Sequence, residues 1–96
     1  MSGDDEAEIA IALKYDREKD GAPRVVAKGM RLKAEKIRAI AKEHGIPFMK
    51  NVNLANALFR VEVGQEVPEE LYDAVAEVLN FIYELQRDQA AANGKR

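Results

Sequence analysis

Three carboxylates within one short stretch, Glu69, Glu70 and Asp73, form a group that can do chemistry. Within one helical turn they can hold a hard cation, but the positive N-terminal end of a helix attracts carboxylates for electrostatic reasons alone, which accounts for them without a metal. Arg31, Arg38 and Lys42 recur at helical spacing and offer a cationic row to phosphate or carboxylate partners. His44 is the single histidine. It therefore cannot belong to a Ser-His-Asp triad or a multi-histidine metal centre on this chain, and at a helix end it can interact with exposed carbonyls. Ser2 is the one serine, threonine and cysteine are absent, and no glycine-rich run resembles a phosphate loop. Hydroxyl and thiol nucleophiles, thiolate metal sites and disulfides drop out, and the expectation is no metal, no cofactor and no catalysis.

The elements that must position these residues follow from periodicity. Glu8 to Tyr15 alternates larger apolar Ile9, Ile11 and Leu13 with small Ala10 and Ala12, as in a strand with one face on a core and the other closely covered. The polar stretch from Asp16 to Pro23 reads as a loop, and Arg24 to Lys28 as a second strand ended by Gly29. From Met30 to His44, Met30, Ala34, Ile37 and Ala41 sit at helical spacing, and Gly45 with Pro47 stops the helix. Pro47 to Lys50 is long enough for a short third strand, and Asn53 can cap a helix carrying Leu54, Ala55, Leu58 and Phe59. Pro68 suits a first helical position, and Leu71, Val75, Val78, Ile82 and Leu85 form the apolar stripe of a last helix. The predicted class is α/β, a small mixed sheet of about three strands in the order β-β-α-β-α-α, with strands two and three parallel across a right-handed crossover.

With 96 residues, 47% hydrophobic, the chain supports one small domain with one modest core. Its apolar runs are too short for a membrane span and its N-terminus is acidic, so the reading is a soluble intracellular protein without membrane insertion. The organisation expected is an acidic flexible head over 1–8, a domain over 9–87 and a flexible tail over 88–96. The net charge of −2 conceals a strong division. Arg24 to Lys42 holds seven basic residues against Glu35 alone, whereas Glu62 to Leu85 holds seven acidic residues and no basic one. The basic helix raises nucleic acid as an alternative partner, but no aromatic residues interleave with the cations and the chain as a whole is acidic.

Longer strings add a resemblance. Ile9-Ala10-Ile11-Ala12-Leu13-Lys14-Tyr15-Asp16, Gly21-Ala22-Pro23 and Val25-Val26-Ala27-Lys28-Gly29 are followed in register by Lys36-Ile37-Arg38 and Ala41-Lys42-Glu43-His44-Gly45-Ile46-Pro47. Leu54-Ala55, Ala57-Leu58-Phe59 and the run from Val63 to Tyr72 complete the set. Over about residues 9 to 85 the chain resembles the cytoplasmic domain of the FlhB/YscU family, the export-apparatus switch proteins of type III secretion. That family carries a self-cleaving Asn-Pro-Thr-His motif just before the first of these strands. Here the four positions read Asp5, Glu6, Ala7 and Glu8, so the resemblance implies a domain without the cleavage chemistry. The chain begins almost where the cleaved C-terminal fragment would begin, which resembles a free-standing paralogue of that fragment. Asn53-Leu54-Ala55-Asn56 also departs from the usual Pro-Leu-Ala-Arg.

The resemblance implies a non-catalytic interaction module of flagellar protein export, cytoplasmic and recruited to the export apparatus at the inner membrane. It implies as partners the N-terminal fragment of FlhB, export substrates, the hook-length control protein and other export components. Three surfaces are candidates for binding them: the edge of the first strand at Ile9, Ile11 and Leu13, the basic face of Arg31, Arg38 and Lys42, and the acidic face of Glu69, Glu70 and Asp73.

Overall fold

The computed structural model of the chain describes residues 8–16, 18–19 and 21–94. The alternating stretch forms strand β1 (Ile9–Lys14), paired antiparallel with β2 (Arg24–Met30). Ile9 lies opposite Met30, Ile11 opposite Lys28 and Leu13 opposite Val25, so these side chains share one face of the sheet. Ala10, Ala12, Ala27 and Gly29 share the other. Val26 falls in a bulge between the two registers and its side chain is exposed.

The small-residue face receives helix α1 (Leu32–Glu43). A Cβ built on Gly29 would sit 2.5 Å from Lys33 Cγ and 2.8 Å from Lys33 Cβ, so glycine is what lets the helix approach β2 this closely. Ala34 is fully buried there. The predicted stop at Gly45 is where α1 ends: Ile46 N–H donates to the Ala41 carbonyl at 2.8 Å and Gly45 N–H to that of Lys42 at 3.2 Å. With Gly45 at φ 69 this is a Schellman cap, and His44 occupies the C-cap position.

The branched face carries the main core of Val25, Leu54, Leu58, Val61, Val67 and Val75, with Ile11 and Leu13 packed against it. Helix α2 (Val52–Leu58) supplies two of these residues, and α3 (Tyr72–Gly94), entered through a single 3-10 turn at Glu69–Leu71, supplies Val75. Of the predicted stripe on α3, Leu71 and Val78 also pack on the core, whereas Leu85 is exposed. The helix continues to Gly94, past the domain boundary drawn at residue 87.

The α/β class holds, with four corrections. No third strand forms at Pro47 to Lys50: among the described residues the sheet is two-stranded and antiparallel, and the element order is β-β-α-α-α. The place beside β2 is taken by the segment from Gly64 to Val67. Gly64 N–H donates to the Val25 carbonyl at 2.7 Å, Val25 N–H to Gln65 at 3.0 Å, and Val67 N–H to Pro23 at 2.8 Å. That closure reaches only the start of β2, and no backbone hydrogen bond joins Pro47 to Lys50 to the rest of it among the described residues; Phe48 and Met49 are exposed. Strand β2 runs through Gly29 to Met30, because Met30 continues the register with Ile9. Helix α2 is capped by Asn51 rather than Asn53: Asn51 Oδ1 accepts from Leu54 N–H at 3.0 Å, which puts Asn53 at the second helical position. Pro68 precedes the 3-10 turn with extended backbone instead of opening an α-helix.

Candidate functional site

Hydrogen-bonded and non-bonded pairs alternate along an antiparallel ladder, so one bond fixes the phase of the rest. Arg31 N–H donates to the Glu8 carbonyl at 2.9 Å, which makes Glu8 and Arg31 a bonded pair. Ala10 and Ala12 then bond inward to β2. The N–H and C=O groups of Ile9 and Ile11 point outward, away from β2. Beyond the bulge Val25 turns its backbone groups to Gln65 and Gly64, so its partner Leu13 also faces outward. The three residues singled out from the sequence as an edge present their backbone groups along one side of the sheet, where no strand pairs with them among the described residues. An edge of this kind is a template for an added strand.

Arg31, Arg38 and Lys42 stand beside that edge in different ways. Arg31 is not on the helix proper: it is the N-cap residue of α1, with φ 59 and ψ −124. Arg38 is clamped by Glu8, its Nε donating to Oε2 at 2.6 Å and its Nη2 to Oε1 at 3.0 Å. Since Glu8 leads directly into β1, this pair places the Arg38 flank of α1 on the β1 side. Lys42 lies one turn further along that flank and is exposed. Lys33, about 140° away around the helix by the 100° step per residue, lies over Gly29 of β2 instead.

The seven cations counted between Arg24 and Lys42 do not form one open face. Lys28 lies under the sheet, its Nζ donating to the Phe59 and Val61 carbonyls at 2.8 and 2.9 Å and sitting 5.0 Å from the Phe59 ring centroid. It caps the C-terminal end of α2, where bare carbonyls favour a cation. Arg24 donates to the Gly64 carbonyl at 3.0 Å and pairs with Glu66 at 3.5 Å, tying the closing segment to β2. Sequence reasoning missed both roles. The sequence carries no signal for Lys28: it stands three residues from Val25, so strict alternation puts the two on opposite faces, and the bulge at Val26 is what brings them onto one. Dispersed in this way, the cations do not form the continuous stripe that a nucleic-acid backbone needs.

Glu69 and Glu70 occupy the 3-10 turn and Asp73 the first turn of α3, all exposed and on the core side of the sheet, away from α1. No group of three or more His, Asp or Glu able to hold a metal occurs among the described residues. A depression of about 320 Å³ bounded by Ala57, Arg60, Gln65, Glu66 and Glu70 is open to solvent. Asp5, Glu6 and Ala7 lie outside the described residues, and only Glu8 of that tetrapeptide is placed.

Residues 6–82 match the family described as FlhB HrpN YscU SpaS. The chain belongs to that family. It is 49% identical over 79 residues to the flagellar biosynthetic protein FlhB of Salmonella typhimurium, covering 81% of this chain and 21% of the relative. The FlhB/YscU-like chain thus spans about a fifth of the FlhB proteins it matches. YlqH of Bacillus subtilis is 41% identical over 86 residues, covering 90% of both chains. In fold, the chain is similar to the crystal structure of the cytoplasmic domain of FlhB from Shewanella putrefaciens, with TM-score 0.84 and 38% identity over 88% of this chain and 66% of that one. The chain is therefore an FlhB-like domain, and both strands and the whole core lie inside the matched range. No described helix is long and apolar enough to cross a membrane.

Proposed function

We propose that this chain is a non-catalytic interaction module of flagellar type III export that substitutes for, or competes with, the cleaved cytoplasmic fragment of FlhB. The observation that carries this reading is the 49% identity to FlhB over 79 residues, in a fold whose β1 edge pairs with no strand among the described residues. In the family a strand precedes the cleavage motif, and a segment of that kind can pair with Ile9, Ile11 and Leu13. The partners are then the N-terminal fragment of FlhB, export substrates and the hook-length control protein, met in the cytoplasm at the inner-membrane export apparatus. With Asp5-Glu6-Ala7-Glu8 in place of Asn-Pro-Thr-His, the motif position offers no side-chain amide to attack its own carbonyl, and the chain remains intact. The testing experiment expresses it in a strain whose FlhB lacks the C-terminal fragment. Restored filament export supports the reading. Unrestored export at normal protein level, with no reduction of export on overexpression beside full-length FlhB, overturns it.

A further inference from the structure

A strand added to β1 would lie about 4.8 Å from it, with side chains alternating between the two faces of the sheet. On the face toward α1 those side chains fall beside Ala10 and Ala12, which are too small to screen them from the helix. The helix flank on that side carries Arg38 and Lys42. Glu8 shows the interaction in miniature: a carboxylate at the sheet margin on the α1 side reaches the Arg38 guanidinium with both oxygens, at 2.6 and 3.0 Å. Lys42, one turn on, makes no ion pair among the described residues. On the opposite face the added side chains fall beside Ile11 and Leu13 at the border of the core, where apolar groups are favoured.

We propose that the β1 edge selects its strand by charge, taking an extended segment that alternates acidic side chains toward Arg38 and Lys42 with apolar side chains toward the core. This rests on the edge-addition reading above and gives it a sequence preference. Main-chain bonds supply binding that any strand can make, and the cationic flank supplies the discrimination. Glu8 is then an internal competitor for Arg38.

The test uses the full chain and three hexapeptides in which Val alternates with Glu, with Ser or with Lys, measured by titration at low salt and by amide exchange. The Glu peptide is expected to bind about tenfold more tightly than the Ser peptide, the effect of two exposed pairs, and the Lys peptide more weakly still. The Glu and Ser peptides should both protect the amides of Ile9, Ile11 and Leu13. Combined Arg38→Gln and Lys42→Gln substitution should abolish the difference between them, and Glu8→Gln should strengthen binding of the Glu peptide alone by about threefold. Equal binding of the Glu and Ser peptides to the unaltered chain, with those amides protected, overturns the charge preference and leaves edge addition standing. Binding of the Glu peptide without protection of those amides overturns both, as does the absence of binding by all three peptides.

Discussion

The outer edge of β2 and the outer edge of β1 present the same kinds of backbone group. The start of the first is closed by Gly64 to Val67 through three hydrogen bonds to Pro23 and Val25, and the second has no partner strand among the described residues. The closed edge is also fastened by side chains: Arg24 reaches Gly64 and Glu66, and Val67 is 2% exposed in the core. The open edge is instead bordered by cations on α1. A segment too irregular to be a strand can close part of a sheet edge if it supplies the right donors and a buried anchor. An edge made of regular strand remains available when nothing local supplies them.

The closed edge can be broken directly. Val67→Pro removes the N–H that bonds to Pro23 and replaces a core side chain, and is expected to lower stability by about 3 kcal/mol in urea denaturation. If this edge were only incidentally covered, the loss would stay below about 1 kcal/mol, as for an ordinary surface change. Amide exchange sharpens the contrast without mutation. Ile9, Ile11 and Leu13 should exchange on the order of a hundredfold faster than Ala10, Ala12 and Val25, because amides on the open edge meet water and those bonded to β2 or to Gln65 do not. Uniform protection along β1 would mean that its edge is occupied in the free chain.

Lys28 joins the sheet to the end of α2 just before the closing segment begins. Lys28→Met keeps most of its length but leaves the Phe59 and Val61 carbonyls without their donor, an expected loss of about 2 kcal/mol by the same denaturation. The smallest effect has the opposite sign. Arg31 has φ 59 and ψ −124, backbone angles that glycine adopts freely and that cost other residues about 1–3 kcal/mol. Arg31→Gly keeps the N–H that bonds to Glu8. After the entropy cost of glycine it should raise stability by about 1 kcal/mol, read as a melting temperature about 4–8 °C higher. A lower melting temperature would show that the Arg31 side chain contributes more than its backbone costs.

The sequence made some of this legible for definite reasons. The Ile and Ala alternation in β1 predicts two unlike faces, and the structure has a core under one and α1 against the other. Gly45 marks the end of α1 because a left-handed residue is needed there and glycine adopts that conformation without strain. Phe48 and Met49 read as a strand because local composition carries no information about whether a segment reaches a sheet edge to pair with it. Asn51 and Asn53 are two residues apart, and either side chain can cap a helix, so only the hydrogen bond to Leu54 decides between them. The charge run misled most. Arg24, Lys28 and Arg38 look alike in sequence, yet one braces a turn, one caps a helix and one holds Glu8, so counting cations overstates the field left for a partner.

Helix α3 spans 23 residues, about 35 Å at 1.5 Å per residue, but among the side chains described, up to Arg87, the core packs it only as far as Leu79. Beyond that point Phe81, Tyr83 and Leu85 are exposed at 44, 36 and 40%. A helix takes most of its stability in a protein from the surface it buries. The two halves of α3 are therefore unequal in cooperativity: the first unfolds with the sheet and the second opens on its own, at a free energy well below the global value. Amide protection should step down after Leu79. A loss of helical signal that starts before the core opens would then report this arm fraying, and a two-state fit to that signal alone would understate the stability of the domain.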